Sequence, residues 1–198
     1  MLFEFIELFF YGKIYVYGDD FMNLFIGCSS RDEIPSKYLN DCKDYIDTLL
    51  EENDLVFGAC DTSIMGYAFN KAKSNGRKTY AVSHVNWEEK FKNIDADVKY
   101  LVSTVGDRAA KLLDLSDALI FLPGGIGTIH EIFTSLESIR SGDFKKPIII
   151  YNSLGYYNGL LTFLNKMYKE EFAEGLDRDI YYVSSNARDT LSYIENYK

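Results

Sequence analysis

Five apolar residues, Ala118-Leu119-Ile120-Phe121-Leu122, run straight into Pro123-Gly124-Gly125-Ile126-Gly127-Thr128-Ile129-His130-Glu131, and an amphipathic pattern follows. The order predicts strand, tight turn and helix, which is the start of a βα unit in a parallel sheet. Three glycines within four residues let backbone N–H groups approach a ligand closely. The helix beginning near Ile126 aims the positive end of its dipole at the same point, so an anion of phosphate size is the natural guest. Gly127, Thr128 and Glu131 share one helical face, because residues three and four apart stack. A carboxylate would repel a phosphate that it touched. Glu131 is therefore expected to face the next part of the ligand, about 5 Å further along, which in a nucleotide is the ribose.

The rest of the chain alternates in the same manner. Leu24-Phe25-Ile26 reads as a first buried strand ending in Gly27-Cys28-Ser29-Ser30, small residues suited to lining a pocket at a strand's carboxyl end. Ser36 reads as the N-cap of a helix that runs to Glu52, and Asp54–Gly58 as the second strand. Asp61 opens the next helix as its N-cap or contacts ribose, and Met65 beside Gly66 lets that helix approach the sheet closely. Residues 78–82 form the third strand, 83–97 a loop or lid, 98–102 a short strand and 107–115 a helix. After the glycine turn come a helix burying Ile132, Phe133, Leu136 and Ile139, a strand at 147–151, a helix over 156–169, a strand at 180–183 and a closing helix. This pattern predicts an α/β fold of Rossmann-like, doubly wound type, a mainly parallel sheet with helices on both faces. Residues 1–21 read as an N-terminal extension in which Lys13–Tyr17 forms an extra edge strand, and residues 22–198 as one nucleotide-binding domain.

Composition narrows the ligand class. The net charge is −9 and no Lys/Arg-rich run offsets it, which argues against a nucleic-acid surface. Cys28, Cys42 and Cys60 lack zinc-ligand spacing and form an odd set, so a reducing cytoplasm is expected rather than a disulfide framework. His130 precedes Glu131, yet a zinc helix needs a second His four positions after the first, where Thr134 stands; no metal is expected. No run reaches the ~18 apolar residues of a membrane span, and acids occupy the start where a signal peptide needs bases. Trp87, Tyr156 and Tyr157 read as core or interface.

Pro123 through Glu131 matches every fixed position of PGGxGTxxE, and in this the chain resembles the LONELY GUY family of phosphoribohydrolases. The likeness extends from Met22 to about Gly175 through Gly27-Cys28-Ser29-Ser30, Met65-Gly66, Arg108 and Ser116-Asp117-Ala118. It departs where the family's Arg-Lys pair becomes Arg108-Ala109, where its glycine triplet becomes Gly58-Ala59-Cys60-Asp61, and where the first of two Glu becomes His130. The resemblance implies cleavage of the N-glycosidic bond of a nucleoside 5′-monophosphate in a homodimer, with no cofactor. On that reading Gly124, Gly125, Gly127 and Thr128 hold the 5′-phosphate, with Gly27, Ser29, Ser30, Asp61 and Met65 completing the binding site. Glu131 stabilises positive charge at the anomeric carbon, and Arg108 clamps phosphate or stabilises the departing base. The losses at Ala109 and at residues 59–61 leave two alternatives on the same fold: a nucleotide-binding or sensing module without turnover, and a carrier of a phosphorylated cofactor such as a pterin. A dinucleotide dehydrogenase fits less well, because the turn after the first strand lacks GxGxxG.

Overall fold

The computed structural model describes residues 7–10, 13–16, 21–173 and 179–197. Most of the 1–21 extension, and Gly175 at the far end of the family resemblance, lie outside the described residues. Strand β1 (Glu7–Phe10) pairs antiparallel with β2 (Lys13–Val16), with Glu7 opposite Val16. The two form a sheet of their own, so the expected extra edge strand pairs with its neighbour in sequence and not with the main sheet.

Seven strands make that main sheet: β3 (Asn23–Gly27), β4 (Asp54–Phe57), β5 (Thr79–His84), β6 (Val98–Val102), β7 (Ala118–Phe121), β8 (Ile148–Tyr151) and β9 (Tyr182–Ser184). Their order is β6-β5-β4-β3-β7-β8-β9, and every pairing is parallel. The chain winds outward from β3 to β6, then returns to the other side of β3 and continues outward to β9. The reversal between β3 and β7 is the topological switch point, where an open α/β sheet has its crevice. Gly27 pairs with Phe121 across it, so the turns after both strands open side by side.

Among the described residues seven α-helices flank the sheet: α1 (Ser36–Leu49), α2 (Ser63–Ser74), α3 (Glu88–Lys92), α4 (Val105–Asp114), α5 (Ile126–Arg140), α6 (Asn158–Lys169) and α7 (Ala187–Glu195). Strand side chains alternate between two cores, as the period of two requires. Leu24, Ile26, Leu55, Phe57, Ile120 and Leu122 pack with residues of α1, α2 and α7. Phe25, Val56, Val82, Leu119, Phe121 and Ile150 pack with residues of α4, α5 and α6. Because both faces are covered, all four residues of β7 are buried, which is why that strand reads as an unbroken apolar run.

Several local expectations change. Pro35, not Ser36, holds the N-cap position of α1, with no side-chain cap, and Ser36 is its first helical residue. Thr62, not Asp61, holds that position for α2, and the Ser63 N–H is satisfied from a different turn by Asp32 Oδ1 at 3.0 Å. Gly66 does permit a close approach, but to the backbone of Asp61: a Cβ there would stand 2.2 Å from the Asp61 carbonyl oxygen. The 83–97 segment is largely ordered, with β5 running through His84, then a 3-10 turn at Val85–Trp87, then α3. Helix α4 starts two residues earlier than expected, because Thr104 Oγ1 accepts the Asp107 N–H at 3.0 Å and caps it.

Candidate active site

The turns after β3, β4 and β7, together with α3, α4 and α5, enclose a cleft of about 690 Å³. One end is the start of α5. The first-turn N–H groups of any helix lack intrahelical partners, and the N-cap residue Gly125 has no side chain to cap them, so they are left open where Gly125, Ile126 and Gly127 line the cleft. The preceding turn is held from behind by its carbonyls. Tyr157 donates its hydroxyl to Leu122 O at 2.6 Å, the Ser29 N–H donates to Pro123 O at 2.9 Å, and Tyr156 donates to Gly124 O at 2.7 Å. In a planar trans peptide the N–H points opposite to the C=O. Fixing the Gly124 carbonyl on Tyr156 therefore fixes the Gly125 N–H on the other side. Gly124 lies buried beneath Thr128: a Cβ there would stand 2.1 Å from Thr128 Oγ1, so only glycine lets that side chain fold back on the turn.

One helical turn further on, Glu131 is buried at 5% exposure on the cleft floor. Its Oε1 accepts from Arg108 Nη1 at 3.0 Å. Arg108 also donates Nε to Val82 O at 3.1 Å and Nη2 to Gly58 O at 3.1 Å, so backbone at the carboxyl ends of two strands fixes its guanidinium. Gly58 makes this possible, since a Cβ there would meet Nη2 at 2.1 Å. Gly27 plays the same part for the carboxylate: a Cβ would lie 2.8 Å from the Phe121 ring and 3.2 Å from Glu131 Oε2. Burial pushes the Glu131 carboxyl above its ordinary pKa, and the charge and hydrogen bond of Arg108 pull it partly back.

Of the residues singled out from sequence, Ser29, Ser30, Asp61, Met65, Arg108, Gly125, Gly127, Thr128 and Glu131 all line this cleft. Gly27 and Gly124 stand behind its wall, giving room to Glu131 and Thr128. Ser29 Oγ accepts the Arg31 N–H at 3.1 Å, and Asp61 is exposed at the rim. Ala109, at the family's Lys position, is 2% exposed on the buried face of α4. Three features escaped sequence reasoning: the Tyr156 and Tyr157 braces, the room made by Gly58, and Trp87, which lines the cleft with its ring 5.9 Å from the Arg108 guanidinium carbon. Only Trp87 carried a signal, as the single tryptophan of the chain set in a polar segment. Among the described residues, no group of three or more His, Cys, Asp or Glu is placed to hold a metal ion.

Comparison with known proteins identifies the family and the fold. The family model described as "Possible lysine decarboxylase" matches residues 65–194. The cytokinin riboside 5′-monophosphate phosphoribohydrolase LOG3 of Arabidopsis thaliana is 28% identical over 181 residues, covering 89% of this chain and 83% of its own. LOG7 of the same plant is 31% identical over 147 residues, covering 73% of this chain and 67% of its own. Among solved structures, the molybdenum cofactor carrier protein of Chlamydomonas reinhardtii shares the fold at 14% identity, with a TM-score of 0.63 over 89% of this chain and 98% of that one. With its complete signature, its cleft at the switch point and a family match over more than half its length, the chain belongs to the LONELY GUY family.

Proposed function

We propose that this protein hydrolyses the N-glycosidic bond of a nucleoside 5′-monophosphate, releasing free base and ribose 5-phosphate. The observation that carries the reading is the buried Arg108–Glu131 pair, one helical turn past an open helix N-terminus in the same cleft. The N–H groups at Gly125 and Gly127 and the Thr128 hydroxyl take the phosphate, with Ser29 and Ser30 beside them and Asp61 and Met65 across the cleft. The sugar then lies over Glu131. As the bond from C1′ to the base nitrogen lengthens, its electron pair leaves with the base and positive charge develops at C1′ and the ring oxygen. A fixed carboxylate binds that state better than the neutral ground state. Water adds its oxygen to C1′, and its protons are shared between the new hydroxyl and the departing base. Arg108 has committed donors to Val82, Gly58 and Glu131, so its role is to keep Glu131 ionised and oriented.

The same reading makes residues 22–198 one nucleotide-binding unit working in the cytoplasm, which the free thiols of Cys28, Cys42 and Cys60 suit. It also makes the protein a homodimer. Phe133, expected in the core from its helical spacing, is instead 37% exposed on α5, and with exposed Val105 and Ile126 it is apolar surface that a second copy would cover. A second reading, a module that binds a nucleotide or phosphorylated cofactor without turnover, is favoured by buried Ala109 where the family has Lys and by the altered 59–61 turn. Incubation with AMP, GMP, CMP and UMP, with base and ribose 5-phosphate followed by chromatography, separates the two. Equimolar products support hydrolysis, whereas calorimetric binding without product supports the second reading.

A further inference from the structure

We propose that Trp87 is the platform on which the nucleobase stacks, an inference that rests on the nucleotide reading of the cleft. The groups along the cleft fall in the order of a nucleotide's parts. The α5 N-terminus suits the phosphate, Glu131 suits the sugar, Arg108 Nη1 lies 3.0 Å from Glu131 Oε1, and the centroid of the Trp87 ring lies 5.9 Å from the Arg108 guanidinium carbon. A base attached to a sugar above Glu131 therefore extends toward Trp87. Trp87 is the only aromatic side chain among the described residues that line the cleft.

The ring is accessible and held. It is 51% exposed, a large apolar surface left open in a chain whose other cleft-floor groups are buried. His84 lies 5.6 Å away, tilted against it, and receives the Asn86 N–H on Nδ1 at 3.0 Å, which fixes the 3-10 turn that carries Trp87. Behind that turn, Lys99 Nζ donates to Phe91 O and Ile94 O, both at 2.8 Å, and ties the following helix to β6. A preset aromatic face is sequence-tolerant toward bases because every base has a π-face. Lys90 and Asn93, on the same wall, supply the polar groups that would read a base edge.

Because Trp87 is the single tryptophan, intrinsic fluorescence reports this contact directly. AMP, GMP, CMP and UMP are titrated into the whole protein beside ribose 5-phosphate, which carries the sugar and phosphate without a base. At least one nucleotide is expected to quench the emission, while ribose 5-phosphate competes for the site and leaves emission nearly unchanged. By calorimetry, Trp87→Ala is expected to weaken that nucleotide roughly tenfold or more, the range of one base–aromatic stack. Its affinity for ribose 5-phosphate should hold, and Trp87→Phe should restore most of the loss. Equal emission changes with and without a base, no change with any nucleotide, or an unaltered nucleotide affinity in Trp87→Ala would each overturn the proposal. Quenching by a nucleotide that is never cleaved would keep Trp87 as the platform and remove the hydrolase reading.

Discussion

Two turns face each other across the cleft, one after β7 and one after β4, and they are built in opposite ways. The β7 turn has glycine at Gly124 and Gly125, and its three successive carbonyls are tied to Tyr157, Ser29 and Tyr156. In the β4 turn, Ala59 (φ 61°) and Ser63 (φ 58°) occupy the left-handed region without being glycine, a conformation costing each about 1–2 kcal/mol. Ser63 Oγ is also buried with no hydrogen-bond partner among the described residues. The first turn is braced, as the anion site of the proposed function requires. The second carries strain at the rim, where this chain departs from its family, and strain of this kind persists where the surrounding structure overdetermines it. The β7 turn carries the complete family signature and, on the proposed mechanism, takes the phosphate, whereas the opposite rim is where this chain departs from the family pattern. Gly58 links the two, because its carbonyl and its missing side chain both serve Arg108.

The sharpest way to break the comparison is to damage the chemistry from the β4 side. Gly58→Ala places a Cβ 2.1 Å from Arg108 Nη2, the far end of a flexible side chain, so the fold survives while the guanidinium is pushed off Glu131. Turnover is expected to fall about 100-fold or more, with a cooperative transition in a thermal scan whose midpoint is lowered by the loss of the buried ion pair. Full activity would show that the β4 turn takes no part in the chemistry. Arg108→Met tests the same link through pH. On the proposed mechanism turnover needs ionised Glu131, whose carboxyl is raised by burial and lowered by Arg108. The acid limb of kcat/KM should lie above the ordinary carboxylate range in wild type and move to still higher pH in the variant. A limb moving to lower pH would contradict the pairing.

On the β7 side the effects should fall on binding. Gly124→Ala drives Thr128 off the turn and is expected to destabilise the fold by about 1–3 kcal/mol and weaken ribose 5-phosphate severalfold or more in calorimetry. Tyr156→Phe removes one hydrogen bond behind the cradle, so a loss of about two- to tenfold in that affinity, with kcat held, is expected. The smallest effect belongs to Ala59→Gly. Relief of the left-handed alanine should stabilise the protein by about 1 kcal/mol, roughly 2–4 °C in melting temperature, without changing turnover. A destabilised Ala59→Gly would mean that the turn is not strained.

The fold was readable because its central strands are buried on both faces, so runs such as Ala118–Leu122 have a single interpretation. The floor of the site was readable for a related reason: Glu131 follows its turn at fixed helical spacing, and Arg108 came through the family's register. What stayed hidden depends on distant chain segments. Tyr156 and Tyr157 brace a turn about 32 and 35 residues earlier, and a tyrosine in sequence looks the same whether its hydroxyl meets water or a carbonyl. The α1 and α2 caps misled for the opposite reason. Ser36 and Asp61 have the right chemistry, but Pro35 and Thr62 hold the positions and Asp32 satisfies Ser63 from another turn.

On the proposed mechanism Glu131 acts on the transition state while the α5 N-terminus does the binding. Glu131→Gln keeps the shape and removes the charge, so it separates the two in one pair of measurements: ribose 5-phosphate affinity by calorimetry, and turnover of the best nucleoside monophosphate by base release. The account predicts affinity within a few-fold of wild type and turnover lower by about 1,000-fold. Wild-type turnover in Glu131→Gln, or a loss of affinity as large as the loss of turnover, would contradict it.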